Sequence, residues 1–457
     1  NRVLVYGATG PVQLFDEVTY DFFDPDQYIL TLPDGRELTI HQTTGLKKIK
    51  DLNGNTLNVT SSGITHSSGR GIGFDRDSEG RITTVTDPMG RTQTYAYDSA
   101  GDLATHTDRE DNATTFAYLS APAHHLETIT DPLGRTPIRN EYYPDGRIQR
   151  HTDAFGKTIE YGHDVAGRQE VVTDREGGVR VLHYDDRGNV TKEIQPDGKQ
   201  TLRTFDGRNN RTSETEPHEQ TNPAPPTTSW TYDAADNVTS TTDPLGNSTA
   251  QTYNAKRQVL TSTDARGKTT TNVYDLKGNL TSTTDADGHA STFTYDLKGN
   301  LLSQTQTVNG VVETTTNTYD NFGNLLTETD ANGNVATQAY DAAGNRTSET
   351  RTRTLPGGAT ETLVTTYAYD KNGRLLKTTD PDGTFTETVY DAAGRQTASK
   401  DKLGRSTTYE YDLMGRLTKT THPDATSEES TYDGEGRRLT SRDRAGRTTA
   451  SLYDSLG

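Results

Sequence analysis

The feature that most constrains this chain is a spacing. Towards its C-terminal end it runs Tyr390-Asp391-Ala392-Ala393-Gly394-Arg395, Tyr411-Asp412-Leu413-Met414-Gly415-Arg416 and Tyr432-Asp433-Gly434-Glu435-Gly436-Arg437, then Tyr453-Asp454, each 21 residues after the last. Read backwards, the tyrosine slot falls at Tyr369, Tyr340, Tyr319, Tyr295, Tyr274, Tyr253 and Tyr232. It continues at Phe205, Tyr184, His163, Tyr142, Tyr118, Tyr97 and Arg76. Thirteen of the 17 intervals are 21 residues, and every exception is longer. A fixed period of this length means one small unit stacked on copies of itself.

A second signature lies between the tyrosines. It is fullest at Thr86-Asp87-Pro88-Met89-Gly90-Arg91 and recurs at Thr130-Asp131, Thr242-Asp243, Thr263-Asp264 and Thr379-Asp380. Asp closes a turn through its side chain, Pro presets φ, and the Gly that follows tolerates a left-handed backbone. Each unit therefore has two turns. The runs between them, such as Thr269–Tyr274 and Ser406–Tyr411, are rich in Thr, Val and Tyr and favour strands. The unit is predicted to be a β-hairpin. The longer intervals hold Ser120–His124, Asn222–Pro226, Val308–Gly310 and Pro356–Gly358, which have loop composition.

The fold class expected is all-β, a tandem array of 21-residue hairpins in one long curled sheet. The positions expected to build it are Tyr97, Tyr184, Tyr232, Tyr274, Tyr295, Tyr319, Tyr340, Tyr369, Tyr390, Tyr411 and Tyr432. With them stand Asp98, Asp275 and Asp391, and Gly278, Gly394 and Gly415. Seventeen intervals of two strands give about 34 strands, and at roughly 4.8 Å each the sheet would run about 160 Å. A sheet that long must curl.

The strands are too polar for a sandwich. Counted with Gly and without Tyr, the apolar residues make up about 33% of the chain, against about 45–50% in a typical globular chain. Mean hydropathy is −0.88. Between Asp275 and Tyr295 only Leu280, Ala290, Phe293 and Tyr295 are apolar residues at strand positions. The expected outcome is a narrow apolar stripe, with Tyr near Tyr from one repeat to the next, and an open concave side. A compact β-solenoid is the competing geometry.

The Y-D-x-x-G-R unit at this spacing resembles the YD repeats of Rhs proteins, with related repeats in the B and C components of insecticidal toxin complexes and in teneurins. The resemblance covers residues 76 to 457. It implies a hollow shell, or β-cocoon, that encloses a C-terminal toxic domain. It also implies a secreted or surface-delivered bacterial protein acting in interbacterial competition. The expected partner is that toxin cargo, carried by a longer parent chain; the family's self-cleaving core and toxin lie outside this sequence. The alternative is a cell-surface module binding a glycan or protein receptor through loops 119–125, 210–226 or 351–362, as teneurin-like members imply.

The rest of the sequence narrows the field. The net charge is −18, with no basic stripe for phosphate, so no nucleic-acid partner is expected. There is no cysteine, and no apolar run reaches the ~18 residues of a membrane span. The loops Asp285–Gly288 and Asp380–Gly383 lack the full calcium-loop pattern, and His124-His125 is the one adjacent histidine pair, with no third ligand near it in sequence. Gly69–Gly73 does not match the dinucleotide fingerprint, and no Walker A sequence or nucleophile elbow occurs. No enzyme, metal or cofactor is expected. Trp230 precedes Tyr232 by two, so the two share a strand face, as do Tyr95 and Tyr97.

Residues 1–73 precede the repeats, which occupy 74–457. They are expected to form a small β subdomain that leads into the shell or caps one end. Val3–Tyr6 is a strand candidate, and Tyr28–Leu32 with Glu37–Ile40 forms a hairpin across Pro33–Arg36. Leu57–Val59 and Gly63–His66 are further short strands.

Overall fold

The computed structural model describes residues 3–6, 13–16 and 26–456, and every regular element among them is a strand. Strands β1 (Val3–Tyr6) and β2 (Gln13–Asp16) pair with each other. From β3 (Gln27–Thr31) to β42 (Thr448–Ala450), each strand pairs antiparallel with the next along the chain. These forty strands form one meander, and no register joins its first strand to its last. It is an open strip, not a closed barrel. The strip runs without a break through β8 (Gly71–Arg76), which pairs on both sides.

Asp turns join the strands. At Asp87–Arg91 the Asp87 N–H donates to the Arg91 carbonyl, and the Gly90 N–H donates to the Asp87 carbonyl, both at 2.9 Å. Gly90 has φ +80°, the left-handed third residue of a three-residue hairpin loop. The same bonding pattern recurs at both edges of the strip. We call the edge of turns that follow the tyrosine slots the tyrosine edge, and the other the threonine edge.

The two edges differ in register. Across the Tyr97 turn, Ala96 faces Thr105 but Tyr97 faces Leu103, a one-residue bulge. Across the Asp87 turn the pairs run in step from Thr92↔Thr86. The bulge recurs at Tyr274, Tyr295, Tyr411 and Tyr432. Bulges bend a strand and raise its twist, so bulges confined to one edge curl the whole strip. The repeat with His163 in the slot is an exception, in step to Asp164↔Gln169.

The curl brings the strip back beside itself. The turn after β5 (Gly45–Lys50) meets the turns after β26 (Thr269–Tyr274) and β28 (Ala290–Tyr295), through Asn53 to Asn279 and Asn55 to the Lys298 carbonyl. The turn after β17 (Gln169–Thr173) meets that after β40 (Ser427–Tyr432), through Arg175 to Glu435. The offset puts about 23 strands in a circuit; at roughly 4.8 Å per strand, that is a ring about 35 Å across. Among the described residues, each strand's close backbone neighbours are those beside it in its own sheet, and no apolar residue is fully buried. The solenoid alternative, which needs packed faces, is therefore set aside: the wall is one sheet thick.

The insertions avoid the seam between circuits. The loop around Ser120–His124 lies on the free tyrosine edge of the first circuit. Residues 216–226, after β21 (Arg211–Thr215), lie on the threonine edge of the first circuit beyond the last seam turn; Asn309-Gly310 and Leu355–Ala359 lie on the threonine edge of the second. Two of them are more than loops. Val308–Gly310 and Pro356–Gly358 sit at the tips of lengthened strands, of 8 and 9 and of 9 and 10 residues. The Thr-rich runs on either side extend the ladder instead of ending it.

Candidate functional site

The functional part of such a wall is the repeat that builds it and the seam that closes it. In the repeat, Asp391 accepts from the Ala393 N–H at 3.0 Å, the Arg395 N–H at 2.9 Å and Arg395 Nε at 2.8 Å. Asp275 does the same with Lys277, Asn279 and the Asn279 amide. Asp98 accepts from the Ala100 and Asp102 N–H groups. Arg and Asn alternate at the motif's last position because each offers a planar N–H to the second carboxylate oxygen. Gly278, Gly394 and Gly415 hold the left-handed position, with φ from +80° to +87°.

Most slot tyrosines tie the second strand of their hairpin to the start of the first. Tyr97 donates to the Ile82 carbonyl, Tyr274 to Val259, Tyr295 to Leu280 and Tyr319 to Leu301. Tyr232 and Tyr369 donate to Arg211 and Arg346. Tyr390, Tyr411 and Tyr432 donate to Leu375, Gln396 and Leu417. Tyr340 bonds Gln338 instead, and Tyr184 lies against Glu170. Burial pushes the phenols of Tyr295, Tyr319 and Tyr411 up, which keeps them protonated donors. His163 fills the slot in kind: its Nε2–H donates to the Ile148 carbonyl at 2.8 Å.

The expected contact of Tyr with Tyr is not the packing found. Consecutive slots are two strands apart, roughly 9.6 Å at 4.8 Å per strand, too far for ring contact. The arginine that ends one motif fills the gap. Arg374 lies 4.7 Å over Tyr390, Arg395 4.7 Å over Tyr411, and Arg416 5.0 Å over Tyr432. Arg211 covers Trp230 in the same way, beside Tyr232. The motif's own alternation of Tyr and Arg was the signal for this stacking; its meaning depends on the register between repeats.

The seam is polar. Asn372 donates to Asp108 Oδ2 at 2.8 Å, and Arg91 and Arg135 reach the carbonyls of Asp370 and Asp412. Glu435 accepts from the Arg175 N–H at 2.7 Å while Glu176 accepts from the Gly434 N–H at 2.8 Å. Despite burial, hydrogen bonds from Asn112 and Asn372 hold the Asp108 carboxyl below its usual range. One cavity of about 1050 Å³ opens on the tyrosine face of β16–β20 (Thr158–Phe205), lined by Ile159, Tyr161, Leu182 and Phe205. Its arginines are paired: Arg180 and Arg203 with Glu193, and Arg203 with Glu214. His124 bonds Asp102 and His125 packs on Tyr142. Among the described residues no group of acidic or histidine side chains could hold a metal ion, and no helix is long and apolar enough to cross a membrane.

A spiral strip of Asp-turn hairpins laced by slot tyrosines has a known counterpart. The family model of the teneurin YD-shell matches residues 55–456. The chain belongs to the YD-shell family. Its YD-shell fold is also that of solved toxin-complex chains. A crystal structure of TcdB2-TccC3-Cdc42 superposes with a TM-score of 0.52 at 17% identity, covering 89% of this chain and 24% of that one. TcdB2-TccC3 without its hypervariable C-terminal region gives 0.51 at 18% identity, covering 85% and 24%. This YD shell thus spans about a quarter of the length of those chains. No curated protein matches it.

Proposed function

We propose that this chain is a wall segment of an Rhs-type toxin shell, structural and without catalytic function, that encloses a toxic C-terminal domain of its parent protein. The observation that carries the reading is the seam. Turns of the first circuit, from Asp51–Asn55 to Asp174–Gly178, bond turns of the second, from Asp275–Asn279 to Asp433–Arg437. A strip whose circuits seal edge to edge, with no packed core between its faces, is built to bound a volume. The YD-shell family and the toxin-complex chains that share the fold add support. In this reading the Tyr, Asp and Gly positions of the motif are the structural residues of the wall. Residues 1–73 open the wall, their turn Asp51–Asn55 already in the seam, and the parent is secreted or displayed at a bacterial cell surface.

Protease protection of the full-length parent tests the proposal. An enclosed domain resists a protease dose that digests the same domain alone. Equal digestion of the two overturns the reading.

A further inference from the structure

The free threonine edge of the second circuit is not an even row of turns. Two β-ribbons stand out beyond it. β29 (Leu301–Val308) and β30 (Val311–Tyr319) form one, and β33 (Arg346–Thr354) and β34 (Thr360–Tyr369) form the other. Between them lies one hairpin of ordinary length, β31 (Leu325–Thr329) and β32 (Val335–Tyr340), with its turn at Asp330–Asn334.

β30 starts to pair with β31 only at Thr316↔Thr329, and the last pair of β32 with β33 is Ala336↔Arg351. Residues 311–315 and 352–354 thus flank a notch two strands wide, with about 14 Å between the flanking strands at roughly 4.8 Å per step. The turn Asp330–Asn334 is its floor.

Above its floor, the backbone of this notch turns unpaired groups inward. Along an antiparallel ribbon, alternate residues bond their partner and the others point outward. The two-residue loop Asn309-Gly310 makes Val308↔Val311 a bonded pair, so Val312 and Thr314 turn their N–H and C=O groups into the notch. Thr316, next in that phase, is the residue that meets β31. On the other wall, Leu355 bonds Ala359 around the tip, which turns Thr354 outward; Thr352 shares that phase, but the Ala336↔Arg351 pair ties its N–H to the Val335 carbonyl at the floor. Native sheets shield such edges with lysine, proline or short strands. Here Val311 and Val312 are 62% and 67% exposed.

We propose that this notch receives a β-hairpin of a partner protein, inserted turn first. The strand directions fit one hairpin. β33 runs towards its tip, so its antiparallel neighbour runs into the notch. β30 runs away from its tip, so its antiparallel neighbour runs out. A hairpin that enters beside β33, turns over Asp330–Asn334 and leaves beside β30 pairs with both walls. A further flush circuit of wall does not fit, because the seam joins level rows of turns and the two ribbons break the row. The partner recognised is a single hairpin standing proud of its own body, bound by strand addition. The inference is independent of whether the wall encloses a cargo.

The test uses the purified chain and, as probe, a cyclised 16-residue hairpin peptide with the sequence of Thr269–Thr284. Saturable binding is expected, with slowed amide exchange at Val312, Thr314 and Thr354. Val312→Pro and Thr354→Pro each remove an outward N–H and leave the bonds within the ribbon; each is expected to weaken binding at least tenfold. Should proline disturb a ribbon, replacing residues 351–363 with the sequence of Asp330–Asn334 removes one wall cleanly, and binding is expected to be lost. Absence of binding at millimolar peptide overturns the proposal. So does binding that these variants leave unchanged, or that leaves the three amides unprotected.

Discussion

The Tyr411 hydroxyl donates a 2.6 Å hydrogen bond to the carbonyl oxygen of Gln396, 15 residues earlier in the chain. The bond joins the slot of one repeat to the strand that opens it, and the carbonyl it occupies lies at the bulge, on the first residue after the preceding turn. Tyr411→Phe keeps the ring and its contact with Arg395 but leaves that carbonyl without its donor. The expected cost is about 1 kcal/mol, the ordinary net worth of such a bond. Urea unfolding of the two chains checks it. A change under about 0.3 kcal/mol would mean that water replaces the phenol at no cost.

The Asp turns predict an acid limit. The Asn189 side chain, with N–H groups of Asn189 and Arg187, holds the Asp185 carboxyl at about 2. Thr426, with help from Arg444, holds Asp424 at about 2. Asp243, Asp330, Asp401 and Asp443 are lowered by the same bonds from the residue four places on. A carboxyl whose folded value lies below its unfolded one stabilises the fold above the unfolded value. That contribution fades as pH falls through the folded value. Stability should therefore change little from neutral pH down to about 4 and then drop steeply towards about pH 2, because many turns titrate together. Circular dichroism against pH reads this directly. A gradual loss beginning near pH 6 would point to histidines instead.

Much of the wall was legible in the sequence and much of the closure was not. Asp, Pro and Gly at fixed offsets mark a turn by their own chemistry, so Asp87–Arg91 and its copies could be placed from local residues alone. The strand after each turn followed from its Thr and Val. His163 was readable as a packing residue because it fell on the period. The stacking of Arg395 on Tyr411 was harder, since it depends on a register two strands wide. The seam was out of reach. Asn372 and Asp108 lie 264 residues apart, and nothing periodic marks one for the other. The inserts Val308–Gly310 and Pro356–Gly358 have loop composition and do reveal a turn each, but not the lengthened strands that carry them. Val311-Val312-Glu313-Thr314-Thr315 has strand composition right up to its tip.

The seam makes its own prediction. Glu176 and Glu435 exchange carboxylate bonds for the amides of Gly434 and Arg175, one in each direction. Glu176→Ala with Glu435→Ala removes both acceptors without touching a strand pair. Amide exchange at Arg175 and Gly434 should quicken about tenfold, while amides in the strand centres keep their protection. Each lost bond is worth about 1 kcal/mol, because both glutamates are partly exposed. Unchanged exchange would show that the circuits hold together without this pair.

Ala425 offers a gain of stability. It occupies the third loop position of its turn with φ +63°, where Gly394, Gly415 and Gly436 stand in their turns. Its N–H donates to the His422 carbonyl at 2.9 Å, so the left-handed backbone is fixed by the hairpin and cannot relax. A residue with a Cβ pays about 1–2 kcal/mol in that region. Glycine avoids the clash but gives back about 0.5–1 kcal/mol through its freer unfolded chain. Ala425→Gly should therefore stabilise the protein by about 0.5–1 kcal/mol. Thermal and urea unfolding should both move upward. Loss of stability would mean that the His422 turn opens in solution to a loop that alanine fits better.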